Sequence, residues 1–161
     1  MALAGNPNVG KSVIFNNLTG GHQHVGNWPG KTIEKKEGTF NYKGYKFHVT
    51  DLPGTYSLTA YSPEELIARN YIIEEKPDVV INIIDASNLE RNLYLTLQLL
   101  ELGAKLVIDL NKMDLAESIG IKIDHKTIER FLGVPVVPTI APKRVGMDEL
   151  LEKVLEVSRK E

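Results

Sequence analysis

Residues Gly5 to Ser12 read GNPNVGKS, which satisfies every fixed position of the phosphate-loop pattern G-x-x-x-x-G-K-[ST]. In such a loop Gly5 and Gly10 let the backbone of Asn6, Pro7, Asn8 and Val9 curl, so that main-chain N–H groups converge on phosphate oxygens. A helix starting just after it aims a partial positive charge at the same point. The Lys11 ammonium is expected to reach the β- and γ-phosphates, and the Ser12 hydroxyl to ligate Mg²⁺. A glycine-rich turn that binds nothing is the bland alternative. The context argues against it, because Met1–Ala4 reads as the stub of a buried strand and Val13–Leu18 as the first turns of a helix. The octet therefore implies a nucleoside phosphate.

Two further stretches answer other parts of a nucleotide. Asp51-Leu52-Pro53-Gly54 offers a carboxylate at a strand tip, placed to hold Mg²⁺ through water, and a Gly54 N–H free to approach a γ-phosphate. Alone, D-x-x-G also describes an ordinary turn; it gains weight by following the phosphate loop and a hairpin. Asn111-Lys112-Met113-Asp114 follows a buried strand that ends near Leu110. The Asp114 carboxylate can accept two hydrogen bonds from N1–H and the exocyclic amine of guanine, a pair that adenine lacks. The Lys112 stem can lie along the base. A polar helix start is the competing reading of this stretch, and beside the other two it is the weaker one.

These stretches need a scaffold, and the chain alternates strand and helix to supply it. Thr19 to Lys31 holds four Gly, one Pro and two His, and reads as a long loop with little local reason to be rigid. Phe40–Tyr42 and Tyr45–Val49 alternate around Lys43-Gly44 as a hairpin. Ser62-Pro63-Glu64-Glu65 reads as an N-cap, a proline at the first helical position and acidic residues at the positive end of the helix dipole. Val79–Ile84 is nearly all β-branched, as in a central parallel strand. Leu89, Leu93, Leu97 and Leu100 follow at helical spacing and end at Gly103. Leu106–Ile108 and Val134–Ile140 are further strands, and Met147, Leu150, Leu151, Val154 and Leu155 mark one face of a last helix. The expectation is a three-layer α/β domain with a mostly parallel six-stranded sheet, one antiparallel edge strand and about five helices. Its site lies at the carboxyl ends of the strands.

Composition sets the outer limits. The 161 residues are 42% hydrophobic and 25% charged, enough for one full core. A net charge of −2 argues against a nucleic-acid partner. There is no cysteine, which excludes disulfides and thiolate metal sites and permits a cytosolic setting. No apolar run reaches the roughly 20 residues of a membrane helix. The stub before Gly5 is short for a first strand and suggests a trimmed natural N-terminus.

Taken together, GNPNVGKS, the loop Gly26-Asn27-Trp28-Pro29-Gly30-Lys31-Thr32, the run Glu34-Lys35-Lys36-Glu37-Gly38, DLPGTYSL and NKMD resemble the N-terminal GTPase domain of the ferrous iron transport protein B family, over essentially the whole chain. The resemblance implies a P-loop GTPase (Ras-like) domain that binds GTP and GDP with Mg²⁺ and hydrolyses GTP slowly, as the cytoplasmic switch of a plasma-membrane iron transporter. Its partners would be a helical domain and a transmembrane domain of the same polypeptide, absent here, with homo-oligomers possible in the intact transporter. It also implies that Thr32 closes on Mg²⁺ and γ-phosphate, and that Asp51 and Gly54 form a second switch. Nucleotide contacts extend by the same token to Val13, Gly30, Lys31, Leu115, Thr139, Ile140 and Ala141. Asn8 matches the asparagine that holds K⁺ against the phosphates in potassium-activated GTPases, which makes Asn8, Lys11, Thr32 and Gly54 the candidate catalytic set. Two other readings stay open: a ribosome- or tRNA-associated GTPase, and a nucleotide sensor whose hydrolysis is incidental.

Several positions depart from the family pattern. Thr55, not Gln, follows Gly54, so no side chain is at hand to orient water. Thr139-Ile140-Ala141-Pro142-Lys143 replaces the usual Ser-Ala-Lys loop. Ala141 can still offer its N–H to the guanine oxygen, and Pro142 stiffens the segment. Asp109 stands where the family has an apolar residue, and burial without a partner would be costly. His22 and His24 near Glu34 and Glu37 tempt a metal assignment, but His-x-His in a Gly-rich loop is more often solvated. Trp28, the one tryptophan, is expected to be partly exposed there.

Overall fold

Five strands of one seven-stranded sheet pair in parallel, and the reason lies in the crossovers. A computed structural model describes residues 1–160. Its strands are β1 (Ala2–Gly5), β2 (Gln23–Asn27), β3 (Glu34–Tyr42), β4 (Tyr45–Asp51), β5 (Val80–Asp85), β6 (Leu106–Asn111) and β7 (Val136–Pro138), ordered β2-β3-β4-β1-β5-β6-β7. The helices are α1 (Lys11–Thr19), α2 (Pro63–Glu75), α3 (Leu89–Glu101), α4 (Met113–Ser118), α5 (His125–Leu132) and α6 (Met147–Ser158). Strands β4, β1, β5, β6 and β7 pair in parallel, while β3 runs antiparallel to both its neighbours.

The sheet has one strand more than the sequence led us to expect. That strand, β2, falls within the stretch read as a loop, and it forms the edge, so the antiparallel strand β3 lies one place inside it. Every residue of β2 is exposed. The main-chain ladder holds it to β3, from Gln23 opposite Gly38 to Asn27 opposite Glu34. Gly38 permits the approach: a Cβ there would lie 2.7 Å from the His22 carbonyl oxygen. Among the described residues there are six α-helices, against about five expected, because α4 and α5 divide the stretch after Asn111–Asp114.

The two sheet faces bury different helices. Ile14, Phe15 and Leu18 of α1 join Leu150 and Val154 of α6 against Leu3, Ile81, Ile83 and Val107. On the other face, Ala68 and Ile72 of α2 and Leu95 and Leu99 of α3 cover Ala2, Ala4, Val80 and Leu106. Ser62 caps α2 as expected, accepting the Glu65 N–H at 3.1 Å, with Pro63 opening the helix. Burial on both faces explains the near-continuous apolar runs of β5 and β6, and puts the strand order reversal at β1.

Candidate nucleotide-binding site

The phosphate loop leaves β1 at the reversal, where two strands diverge and open a crevice. Gly5 must be glycine because β5 lies against it: a Cβ would stand 2.6 Å from the Ile83 carbonyl oxygen. Gly10 is in the left-handed region (φ 94°), and a Cβ would meet the Asn111 amide nitrogen at 2.3 Å. A cavity of about 620 Å³ opens there, lined by Asn6, Pro7, Asn8, Gly10, Lys11, Ser12, Val13, Gly54, Asn111, Lys112 and Pro142. It brings together the phosphate loop, the tip of the D-x-x-G turn and the first half of NKMD. Gly54 sits so close that a Cβ would touch Pro7 main-chain atoms at 3.3 Å.

Charge is concentrated at the mouth. The Lys11 ammonium pairs with the Asp51 carboxylate and donates to the Leu52 carbonyl at 2.7 Å, tying loop to strand end. Lys112 reaches across to the Asn8 carbonyl at 2.6 Å and lies 3.3 Å from Asp85, so its head braces the phosphate loop while its stem flanks the cavity. Asp85, which the sequence did not single out, also accepts from Ser87 N–H at 2.8 Å. Asn8 (φ 66°) has an exposed side chain, and among the described residues its amide makes no hydrogen bond. The Asn6 amide is the opposite case: buried, with neither its oxygen nor its nitrogen partnered.

At the β6 end of the cavity, Asn111 is the clamp. Its amide nitrogen donates to the Val9 carbonyl at 2.9 Å and its oxygen accepts from Ala141 N–H at 3.0 Å. That second bond engages the Ala141 N–H, the group expected to face the guanine oxygen. Asp114 is exposed at the start of α4 and accepts only from Leu115 N–H, at 2.9 Å. Asp109 has its partner thirty residues on, the buried hydroxyl of Thr139, which donates to Oδ1. Among the described residues its Oδ2 has none, and burial pushes the carboxyl up to about 7 from 3.8.

The structure does not bring Gly30, Lys31 and Thr32 to the cavity. They form the turn joining β2 to β3, and Lys31 and Thr32 are exposed. Trp28 beside them is buried rather than partly exposed. It packs edge-on against Tyr71 of α2 at 5.9 Å with the Lys35 ammonium over its ring at 4.6 Å, which fastens the hairpin to the body. His22 and His24 line a separate cavity with Glu37 and His48. Among the described residues no group of three or more His, Asp or Glu is placed to hold a metal ion. Pro142 was expected only to stiffen its loop; it also lines the cavity. No local signal marks it for that, since the contact joins segments far apart in the chain.

A central parallel sheet reversing at a phosphate loop, with D-x-x-G at the end of β4 and NKMD at the end of β6, defines the P-loop GTPase fold. The chain belongs to the ferrous iron transport protein B family, whose model matches residues 1–154. The Fe(2+) transporter FeoB of Methanocaldococcus jannaschii is 62% identical over 161 residues, all of this chain and 24% of the relative. The chain spans about a fifth to a quarter of the length of the curated relatives it matches. Among solved structures, the FeoB G-domain from Methanococcus jannaschii superposes with a TM-score of 0.88 at 58% identity, covering 99% of this chain and 96% of that one. The cytosolic domain of T. maritima FeoB in GDP form I gives 0.94 at 48%, covering 99% and 63%. Among the described residues no helix is long and apolar enough to cross a membrane.

Proposed function

We propose that this chain binds GTP and GDP, hydrolyses GTP slowly, and serves as the cytoplasmic switch of a ferrous iron transporter whose helical and membrane domains follow in the same polypeptide. The observation that carries the reading is the single cavity lined at once by the phosphate loop, Gly54 and the Asn111-Lys112 pair. GDP in the T. maritima relative supports it. The relatives' names, Fe(2+) transporter, support the transport half.

In this reading the Gly5–Ser12 amides and Lys11 hold the phosphates, and Lys11 exchanges Asp51 for the γ-phosphate. The donors fit a hard cation: the Ser12 hydroxyl lines the cavity, and Asp51 lies within reach of Lys11, which also lines it. Ser12, Asp51 and, after loop closure, Thr32 would hold Mg²⁺, and Asn8 K⁺; bound there, the cations would supply positive charge to the phosphate oxygens. Lys112 flanks the base and Asp114 reads it, with Leu115 and the Thr139–Ala141 segment shaping the pocket that Asn111 holds together. Thr55 is buried and its N–H donates to the Gly5 carbonyl, which supports the reading that it orients no water and that hydrolysis is slow.

Phosphoryl transfer spreads negative charge that an arginine finger can offset by about 10³–10⁵ in rate. No arginine lies between Gly5 and Leu58, and Arg91 is engaged on the Tyr56 ring, 4.2 Å away. Asn8 could instead cap its own loop, but its amide carbonyl has no such bond and is free to coordinate a large monovalent cation. GTPase activity should rise at least several-fold when K⁺ replaces Na⁺ at equal ionic strength, and Asn8→Ala should erase that rise. Equal rates in the two salts would remove Asn8 from the catalytic set.

Closure of the first loop gives a second readout. Thr32 can reach Mg²⁺ only if the β2–β3 turn leaves its place, and Trp28, packed on Tyr71, must feel that movement. Trp28 fluorescence should therefore differ between GDP and a non-hydrolysable GTP analogue with Mg²⁺, and the difference should vanish in Thr32→Ala. An identical spectrum in both nucleotides would leave Thr32 without a role.

A further inference from the structure

We propose that Asp109 is a positioning residue for the guanine end of the site, acting through the Thr139 hydroxyl to set how firmly Asn111 holds the 139–141 segment. The inference rests on the nucleotide reading above and concerns a residue that touches no nucleotide.

Three fully buried groups stand in a row. Thr139 Oγ1 is hydrogen-bonded to Asp109 Oδ1 and lies 3.2 Å from Asn111 Oδ1. Asn111 in turn accepts from Ala141 N–H and donates to the Val9 carbonyl, which links the 139–141 segment to the phosphate loop. A hydroxyl carries one proton and can serve one acceptor at a time. With Asp109 ionised, that proton goes to the carboxylate, and Asn111 Oδ1 keeps only the Ala141 bond. With Asp109 protonated, its own O–H donates to Thr139 Oγ1, and the Thr139 proton is released to Asn111. The relay reverses, and the clamp gains a second bond to the segment.

Nothing else nearby competes for this role. Ile83 of β5 and Val137 of β7 flank Asp109 in register. Of the elements packed on that face, α1 brings Lys11, which is engaged by Asp51. On α6, Asp148, Glu149, Glu152 and Glu156 are exposed and Lys153 pairs with Glu156. Lys143 and Arg144, in and just after the 141–143 turn, are exposed. None is a partner of Asp109, whose carboxyl titrates near neutrality because burial opposes its charge. The clamp should therefore loosen as pH rises across the neutral range, and bound GDP should leave faster.

The test is release of a fluorescent GDP analogue into excess GDP, followed by stopped flow on this chain from pH 6 to pH 8. The terminal phosphate titrates near pH 6 itself, so the quantity read is the rate relative to Asp109→Asn at each pH. The amide keeps the shape and cannot ionise; Asp109→Leu serves as a second reference. The wild-type ratio should climb roughly 2–10-fold over this range, the worth of one hydrogen bond. Thr139→Val, which keeps the carboxyl but removes the relay, should run parallel to Asp109→Asn. A ratio constant with pH, or a Thr139→Val profile that follows the wild type, would overturn the proposal. Failure to bind GDP at any pH would instead overturn the nucleotide reading on which it rests.

Discussion

Asp114→Asn should weaken GDP and GTP binding by about 2–5 kcal/mol, the range for removing one partner of a desolvated charged hydrogen bond. A carboxylate accepts from guanine N1–H and the exocyclic amine, whereas an amide offers one donor and one acceptor. Guanine presents two donors there and leaves the amide donor unpaired. Xanthine presents one donor and one carbonyl, so xanthine nucleotides should recover much of the loss. Asp114 is exposed at the head of α4, and among the described residues only Leu115 N–H bonds it. Binding titrations of GDP and its xanthine counterpart to both variants decide it. Equal weakening of both nucleotides would mean that Asp114 supports the fold rather than reading the base.

Asp109 should make the domain less stable as pH rises, against the usual trend for carboxylates. Its folded-state value of about 7 lies above the ordinary 3.8, so between those values the folded chain holds the proton that the unfolded chain has lost. Stability from this group is therefore fully present below the lower value, falls as pH rises, and levels off above about 7. The gap corresponds to up to roughly 4 kcal/mol. Asp109→Asn removes the charge but leaves one buried N–H short of an acceptor, which costs about 1–2 kcal/mol. At pH 8 the variant should thus be more stable than the wild type by roughly 2–3 kcal/mol, and at pH 5 close to it or below. Urea unfolding at the two pH values measures the difference. A wild type equally stable relative to the variant at both would show that Asp109 stays charged or reaches water.

Most of the scaffold was legible because periodicity and punctuation agreed with it. Val79–Ile84 and Leu106–Ile108 announced buried parallel strands, and Ser62-Pro63 announced the start of α2. β2 was not legible: Gln23–Asn27 has no apolar alternation, since neither face is covered, and its main-chain ladder depends on β3 and on Gly38. Trp28 looked mobile among Gly and Pro because its anchor, Tyr71, lies on α2. The partner of Asp109 was equally hidden, thirty residues away at the end of β7. The site followed the same division. The residue types in GNPNVGKS, DLPG and NKMD state their chemistry, but the bracing of the phosphate loop by Lys112 and the Asn111–Ala141 bond appear only once the strands are side by side.

The central claim is that this chain is a guanine-nucleotide switch, and calorimetric titration of the unmutated chain with GTP, GDP and ATP, each with Mg²⁺, tests it most directly. Lys11 and the phosphate-loop amides are blind to the base, so in this reading discrimination comes from the Asn111–Asp114 stretch together with the 139–141 segment. The account predicts saturable 1:1 binding of GTP and GDP, with ATP weaker by roughly the same 2–5 kcal/mol expected for loss of the Asp114 contact. ATP binding as tightly as GTP, or no binding of any of the three, would contradict it.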